Sequence, residues 1–518
     1  MPKLLSITLT ALASVAAAVE PYIVPTLPGV SLTPIATVGD SFNAKADGSP
    51  YRFVGIPDGL GAYSAGRDGF VLLMNHELAA GTGVVRAHGQ NGGFVSRWSI
   101  KRGSLAVERI EDFNPAPGTI HSWSAATGHV ANASMVYRRL CSADLAMQTA
   151  FVNPFTGKGT WSHMLLSGEE TGPEGRAFAH VATGASARMS YELPHLGKCS
   201  WENLVANPFP QDRTVVIGTD DATPGQLYVY VGDKRHAGSD VERSGLVGGR
   251  VFGVSVPHAP LEIRETGVGA GKGVPVAFTM AALGDLSAST GAQIQTLSQA
   301  MGVTEFLRPE DGAWDPLFPR DFYFVTTDRF DQVKDGLVGG QIGRSRLWRL
   351  RFADITDPAA GGTITMLIDG SELPGPQMMD NLSVDWKGRV LLQEDPGNQK
   401  HLARIWMYEI ETGELTEIAK HNPALFGDML VPGTLTNDEE SSGIIDASAI
   451  LGGNMYLFDV QAHYDIAGEL VQGGQLLAMR VPRGGMPPIL RVLWRFFAEP
   501  RGIAGLPAHR GGGDLAAR

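Results

Sequence analysis

The sequence predicts an all-β protein, and three observations support this fold class. Short strand-like runs recur along the 518 residues, with turn residues between them. The 65 glycines and 32 prolines are typical of many strands joined by tight turns. Helical periodicity is scarce, and its best example, residues 291–301, is short.

The strand-like runs form a series of hairpins. They lie at 70–74, 94–100, 164–167, 214–217, 226–231, 251–256, 322–326, 346–352, 363–368, 390–393, 403–410, 455–460 and 475–481. Residues 381–395 show the pattern best, because a turn at 385–388 separates two apolar strands. Such hairpins in a chain of this length favour a β-propeller over a single sandwich, and we expect six blades. No linker divides residues 20–482, so we expect one propeller domain there.

The first 18 residues have the form of a secretory signal peptide. Lys3 precedes an apolar stretch, and alanines 16–18 provide a small-residue cleavage site. The stretch is too short to span a membrane. We therefore expect a periplasmic or extracellular protein.

The C-terminal segment, residues 483–518, differs in composition from the rest of the chain. It is rich in arginine, glycine and proline, with an isolated apolar patch at 490–497. We expect a disordered basic tail, with a short amphipathic helix as the alternative for the patch.

Charge and cysteine content limit the partners of the protein. The net charge of −12 opposes binding to nucleic acid, whose phosphates require clustered Lys and Arg. An acidic surface suits calcium binding, and it also suits simple solubility. The two cysteines, Cys141 and Cys199, predict one disulfide in an exported protein, with metal ligation as the alternative.

Two polar clusters follow apolar runs in the first third of the chain. Asn75, His76 and Glu77 end the run 71–74, and Glu77 is suited to calcium. Glu169 and Glu170 follow residues 161–167, and adjacent carboxylates repel each other unless a cation or solvent separates them. A capped strand end and a solvated turn are the alternatives.

A third cluster is Arg308-Pro309-Glu310, which precedes the strand-like run at 322–326. Arginine binds phosphate with a planar fork of donors, and a carboxylate can hold a hard cation. Pro309 restricts the backbone between the two side chains. The alternative is an exposed ion pair, which contributes little to stability.

Further acidic clusters lie in the second half of the chain. Asp380 and Asn381 open the hairpin described above, and Glu394-Asp395 closes it. Residues 437–440 end in Glu440, with His463 downstream. Calcium ligation, Asx turns and solvated loops all remain open for these residues, as they do for Asp220-Asp221.

Taken together, these segments resemble the PhoX-type secreted alkaline phosphatases, which are calcium- and iron-dependent β-propellers. Arg308-Pro309-Glu310 is similar to the family's "RPE" segment, and residues 75–77 are similar to its Asn-His-Glu. Glu169-Glu170 resembles the family's "CEE" with Gly168 in place of cysteine, and residues 380–382 resemble its "SPDNL". The segments occur in the family's order.

The resemblance implies roles for individual residues. Arg308 would contact substrate phosphate, with Glu310 as its catalytic partner and as a metal ligand. The implied metal ligands are Glu77, Glu169, Glu170, Glu310, Asp380, Asn381 and Glu440, with Glu170 preferred over Glu169. The implied cofactor is Ca2+, and Fe3+ stays open because the family's iron-binding cysteine is expected near residues 153–155, where none occurs. Cys141 is the nearest upstream cysteine, but it lies too far back in the sequence.

The resemblance favours an exported, metal-dependent hydrolase of phosphate esters. We expect a small phosphorylated substrate, a monomer, no nucleic-acid partner and no membrane span. Two alternatives remain: a lactonase- or phytase-like propeller hydrolase, and a non-catalytic binding propeller stabilised by calcium. Iron together with calcium would favour phosphatase chemistry over both.

Overall fold

A computed structural model describes residues 19–328, 345–372, 374–397, 399–428 and 430–498. Its strands are β1 (Ile23–Pro25), β2 (Ser31–Thr37), β3 (Ser41–Ala44), β4 (Pro50–Arg52), β5 (Pro57–Ala65), β6 (Gly69–His76), β7 (Phe94–Lys101), β8 (Val107–Asp112), β9 (Ile120–Ser124), β10 (Gly128–Ala131), β11 (Leu140–Leu145), β12 (Val152–Asn153), β13 (Lys158–Gly159), β14 (Met164–Glu169), β15 (Ala177–Val181) and β16 (Met189–Glu192). They continue with β17 (Trp201–Ala206), β18 (Arg213–Asp220), β19 (Leu227–Asp233), β20 (Arg250–Ser255), β21 (Val276–Gly284), β22 (Pro309–Trp314), β23 (Asp321–Thr326), β24 (Arg346–Phe352), β25 (Gly362–Asp369), β26 (Met379–Val384), β27 (Arg389–Glu394), β28 (Arg404–Glu409), β29 (Leu415–His421), β30 (Glu439–Asp446), β31 (Met455–Ile466) and β32 (Val471–Arg480).

Helices are few and short, as the sequence predicts. The described residues contain α1 (Asp240–Arg243), α2 (Gly291–Ala300), α3 (Ser448–Leu451) and α4 (Pro488–Ala498). Thr290 begins α2 with a capping box, in which its side chain accepts from the backbone N–H of Gln293. The all-β fold class is therefore confirmed, and in the described residues no helix is long and apolar enough to cross a membrane.

The strands form sheets built around antiparallel hairpins, and only the pairing of β16 with β9 in the second sheet is parallel among the strand pairs of the described residues. The main sheets have the orders β5-β6-β7-β8, β10-β9-β16-β15-β14-β11, β17-β18-β19-β20-β21-β25-β24-β23-β22, β1-β29-β28-β27-β26 and β2-β32-β31-β30. The long sheet consists of two antiparallel units, β17 to β21 and β22 to β25, which join edge to edge through β21 and β25. Strand β2 from the N-terminal region pairs with β32, so the two ends of the fold meet in one sheet.

Each of the four shorter main sheets and each half of the long sheet is called a unit below. One strand from each unit lies next to the corresponding strand of the following unit. These strands, β5, β11, β17, β22, β26 and β30, are called the inner strands below. Each contacts the next in this order, and β30 contacts β5, so the contacts form a closed ring. Closure leaves every inner strand with a neighbour on both sides.

The cores of the protein lie between successive sheets. Leu72 and Trp98 of the first sheet pack with Leu457 of the last, whereas Leu73 packs with Leu165 of the second. Because both faces of such strands are covered, residues 70–74 form a continuous apolar run instead of an alternating one.

The apolar patch of the C-terminal segment forms the short helix that was the alternative to a disordered tail. Helix α4 places Arg491 and Arg495, four residues apart, on one buried face. Arg491 pairs with Asp315 at 2.6 Å and with Glu411 at 2.7 Å, and Arg495 pairs with Asp321 at 2.5 Å. The composition of the segment predicts exposure to solvent, but these two arginines are buried because they form ion pairs with buried carboxylates. The remaining tail residues, 499–518, and the expected signal peptide, 1–18, lie outside the described residues.

Candidate functional site

The second residue of every inner strand forms what we call the inner ring. Its members are Asp58, Cys141, Glu202, Glu310, Asp380 and Glu440. The Cys141 Sγ lies 3.1 Å from Glu202 Oε2 and 3.5 Å from Asp58 Oδ2. The ring of contacts between the inner strands therefore gathers polar side chains from all of the units.

A second set of residues, the outer ring, follows from the strand register. The first residue of each inner strand pairs with a residue on the adjacent strand, as in Pro57 with His76 and Pro309 with Thr326. The residue directly after that partner belongs to the outer ring. Its members are Glu77, Glu170, Asp221, Thr327, Asp395 and His463.

A β-bulge follows the inner-ring residue in the same place of five units. The register shifts between the pairs Pro57/Leu60, Leu140/Ala143, Trp201/Leu204, Pro309/Gly312 and Met379/Leu382. In β30 the shift comes later, between Ser442 and Ile445. A bulge bends its strand and changes the direction of a side chain, and bulges are common beside active sites. The repeated bulge thus explains why ring residues occupy equivalent positions in units whose local sequences differ.

Two groups in the rings have the proximity that a metal ion requires. One ligand atom each from Asp58, Glu77 and Cys141 lie within 4.8 Å of one another. The same holds for Glu202, Asp221 and Glu310. Carboxylate oxygens suit hard cations, and a thiolate suits iron.

A second observation indicates that these carboxylates are suited to binding cations. Glu202 Oε1 and Glu310 Oε2 are buried without a hydrogen-bond partner among the described residues. A buried carboxylate oxygen without a partner is costly, since burial removes its water. Glu202 and Glu310 both belong to the second of the two groups, so a cation bound there would supply interactions that these carboxylates lack.

One histidine in the rings and two arginines beside them provide positive charge, against nine carboxyl groups in the rings. Arg308 Nε lies 2.8 Å from Asp221 Oδ1 and 3.0 Å from Glu310 Oε1. Arg139 Nε donates to Glu77 Oε1 at 2.8 Å, and its Nη2 lies 2.6 Å from Glu170 Oε2. The carboxylates therefore exceed the cations of the chain itself.

Burial and crowding change the acidity of these groups. Burial, with repulsion from Asp221, raises the pKa of Glu202 to about 8. Burial, with repulsion from Glu440, raises the pKa of Asp395 to about 7. Burial, followed by neighbouring carboxylates, also raises the pKa of the Cys141 thiol well above its usual range. A bound cation would favour the deprotonated forms instead.

Most of the residues that the sequence singles out lie in the two rings. They are Glu77, Glu170, Glu310, Asp380 and Glu440, with Arg308 directly before β22. Asn381 lies one residue further along β26, where its Nδ2 donates to Ser142 Oγ at 2.5 Å.

Glu169 lies outside both rings. Its carboxylate is fully buried and accepts from Arg138 at 3.0 Å and from Arg176 at 2.5 Å. His76 is also outside, with its Nε2 2.8 Å from Ser96 Oγ. These residues fix the sheets beside the site.

The structure adds residues that sequence reasoning does not select, among them Asp58, Glu202 and Arg139. None of them belongs to a cluster that stands out in the sequence. Asp221 and Asp395, for which the sequence is compatible with calcium ligation and with turns, both lie in the outer ring.

Cys141 requires a correction. It lies in the inner ring although its sequence position had argued against it, because residues 146–163 form an excursion between β11 and β14 that includes β12 and β13. The expected disulfide is also wrong, since Cys141 and Cys199 are both free and buried.

Comparison with known proteins places these findings in context. The family model of the alkaline phosphatase PhoX matches residues 184–444. The fold is similar to Pseudomonas fluorescens PhoX in complex with vanadate, a transition state analogue, with a TM-score of 0.59, 12% identity, and coverage of 89% of this chain and 96% of that chain. At this identity the likeness shows a shared fold.

Other structural matches are more distant. The BP39L lectin from Burkholderia pseudomallei has a TM-score of 0.34 at 9% identity, covering 84% of this chain and 99% of that chain. A Trypanosoma rangeli sialidase mutant displaying trans-sialidase activity has a TM-score of 0.35 at 10% identity, covering 91% and 62%. No curated protein sequence matches the chain.

Proposed function

The chain belongs to the PhoX alkaline phosphatase family, and from this premise we propose that its two rings bind metal ions and hydrolyse phosphate monoesters. Membership supports a phosphatase-like hydrolase, since the family model spans half of the chain. The observation that carries the proposal is the pair of buried, unpartnered carboxylate oxygens of Glu202 and Glu310 beside Arg308. Phosphate and cation sites are thereby adjacent.

The residues divide into two metal-binding groups of different chemistry. Glu202, Asp221 and Glu310 present only oxygen, which suits Ca2+. Asp58, Glu77 and Cys141 add a thiol, which suits Fe3+. Bound metal ions would polarise the phosphoryl oxygens and lower the pKa of an attacking water.

Arg308 supplies the phosphate-binding group of the chain itself. Its guanidinium is held between Asp221 and Glu310, and its backbone has a φ of 63° immediately before Pro309. A non-glycine residue in this region is strained, and such strain is concentrated at functional sites. Arg308 would orient the phosphoryl group and compensate the charge that develops on it.

We also propose that residues 20–482 form a six-bladed propeller. The support is the closed ring of six inner strands, together with the ring residues in each unit and the bulge at the same place in five of the six. On this arrangement the site lies where the inner strands begin.

Export is a further part of the proposal. It rests on the signal-like sequence of residues 1–18, and a calcium-dependent enzyme suits a compartment outside the cytoplasm. N-terminal sequencing of the mature protein and cell fractionation test it. A protein that keeps residues 1–18 and stays in the cytoplasm would contradict it.

The test of the proposed activity combines metal analysis with an assay. The purified protein is expected to contain both calcium and iron and to hydrolyse an aryl phosphate. Treatment with a chelator should abolish the activity, and added Ca2+ should restore part of it.

Two other outcomes have clear meanings. Calcium without iron, together with turnover of a lactone or of phytate, would favour the oxygen-ligand hydrolases. Calcium without turnover of any ester would contradict the phosphatase proposal and would favour a calcium-stabilised binding protein.

A further inference from the structure

Arg139 and Arg308 occupy the same position in two units of the fold. Each is the residue directly before an inner strand, β11 for Arg139 and β22 for Arg308. Each guanidinium contacts the outer-ring carboxylate of the preceding unit, Glu77 for Arg139 and Asp221 for Arg308. The two arginines are therefore structural equivalents, related by the internal repeat and not by local sequence.

Each arginine also contacts a second carboxylate, which belongs to its own unit. Arg139 contacts Glu170 at 2.6 Å, and Arg308 contacts Glu310 at 3.0 Å. Both side chains are thus held by two acidic groups that are themselves nearly buried. Fixed guanidinium groups lose little conformational entropy when they bind a ligand.

Arg139 is the more accessible of the two. Its side chain is 47% exposed, against 18% for Arg308. Its Nε and Nη2 are used by Glu77 and Glu170, whereas its Nη1 has no acceptor among the described residues. The Nη1 group of this half-exposed side chain therefore keeps two N–H donors for an oxyanion, while the fork formed by Nε and Nη2 is occupied by Glu77.

We propose that Arg139 is a second phosphate-binding arginine, which makes the site select dianionic monoesters over monoanionic diesters. The inference rests on the proposed function. The two arginines lie on either side of the β17 unit, where Arg139 contacts Glu170 and Arg308 contacts Asp221, two carboxylates close enough to repel each other. Both guanidinium groups then act on one phosphoryl group, and together they compensate the two negative charges of a monoester. A diester has one negative charge, so it loses less when one of the arginines is removed.

The experiment uses metal-loaded full-length protein and the variants Arg139→Gln and Arg139→Lys. In Arg139→Gln, the KM for an aryl phosphate and the inhibition constant of inorganic phosphate should each rise about 10- to 100-fold. The KM for a bis-aryl phosphate should rise about threefold or less. Arg139→Lys keeps the charge and should recover part of the monoester binding.

Arg109→Gln is the matched control, because Arg109 lies on β8 with an exposed side chain. It should leave both substrates unaffected. Metal analysis and the melting temperature show whether Arg139→Gln retains its ions and its fold. A loss that is equal for the two esters, or that comes with lost metal, would overturn the inference in favour of simple neutralisation of Glu77 and Glu170.

Direct phosphate binding separates this inference from the proposed function. Wild-type protein that hydrolyses no ester, but binds inorganic phosphate at least about tenfold more tightly than Arg139→Gln, would refute the activity and support the role of Arg139. Wild-type protein that binds no phosphate would overturn the inference itself.

Discussion

The two ends of the inner strands differ sharply in chemistry. At their beginnings, the second residues form a ring of five carboxyl groups and one thiol. Towards their other ends, the same strands line a cavity of about 230 Å³, whose walls combine apolar side chains, among them Leu60, Val205 and Trp314, with Asp144, Asn203, Asp311 and Asp446. One set of strands thus provides a ring of carboxyl groups at one end and, a few residues further along, a mainly apolar packing region with a few acidic groups.

The contrast between the two ends shows how the fold accommodates a strongly charged site. Repulsion among the ring carboxylates destabilises the chain unless cations are bound, whereas apolar packing further along the strands holds the strands together. Substitutions at the two ends should therefore have separable effects: activity and metal content at one end, stability at the other. The following predictions test that separation.

The largest effect is expected for Glu310→Gln at the charged end. The substitution removes a ligand charge and one of the contacts of Arg308, so kcat for an aryl phosphate should fall about 10²- to 10³-fold. Glu108→Gln, at a half-exposed position on β8, is the control and should keep full activity. Steady-state kinetics measures both. Equal activity of the two variants would show that Glu310 lies outside the reacting centre.

A comparable loss, but in stability, is expected for Leu60→Ala at the apolar end. Leu60 is fully buried, and its truncation should lower the free energy of unfolding by about 2–5 kcal/mol. Denaturant unfolding measures this loss. At a temperature where the variant stays folded, its metal content and kcat should match the wild type. A loss of metal in this variant would show that the two ends are coupled.

A smaller and more selective effect is expected for Cys141→Ser. If the thiol binds iron, this variant should lose iron while it retains calcium, as measured by elemental analysis. Cys199→Ser is a close control, because Cys199 is also free and buried but lies outside the rings. Unchanged iron in Cys141→Ser would remove the thiol from the proposed ligand set.

The smallest effect is a pH dependence that appears when the metal is removed. Without a cation, burial and Asp221 raise the pKa of Glu202 from 4.5 to about 8. A raised folded-state pKa stabilises the fold fully below about pH 4.5, and this contribution is lost as the pH rises through about 8. The free energy of unfolding of chelator-treated protein should therefore fall over this window, by on the order of 2 kcal/mol.

Denaturant unfolding at pH 5 and at pH 8 measures that change. Protein with saturating Ca2+ should show a weaker dependence, because the cation keeps the carboxylates ionised at both pH values. The same dependence with and without Ca2+ would mean that the ring carboxylates do not bind it.

The fold class was predictable because its signals are local. Turn residues and short apolar runs are visible without any knowledge of which strands pair. The site was predictable only in part, and Glu169 and Glu170 show why. Side chains of successive residues lie on opposite faces of a strand, so Glu170 joins the outer ring while Glu169 pairs with Arg138 and Arg176. The sequence motif contains both glutamates, and it does not show which of the two side chains points towards the site.

Cys141 and Arg139 show a second limit of sequence reasoning. Their places depend on strand register and on the length of the excursion before β14, and neither is visible in a single sequence. The repeat that relates Arg139 to Arg308 is a repeat of position, with different residues at equivalent places. Only the paired strands reveal it.

Helix α4 has a consequence for any shortened form of the protein. Deletion after residue 482 would remove Arg491 and Arg495, so Asp315 and Glu411 would lose their cations, whereas Asp321 would keep its pair with Arg351. Unpaired buried carboxylates are far more damaging than a missing surface helix. The folded domain therefore includes α4, because ion pairs attach this helix to the sheets. A shortened chain should end beyond residue 498.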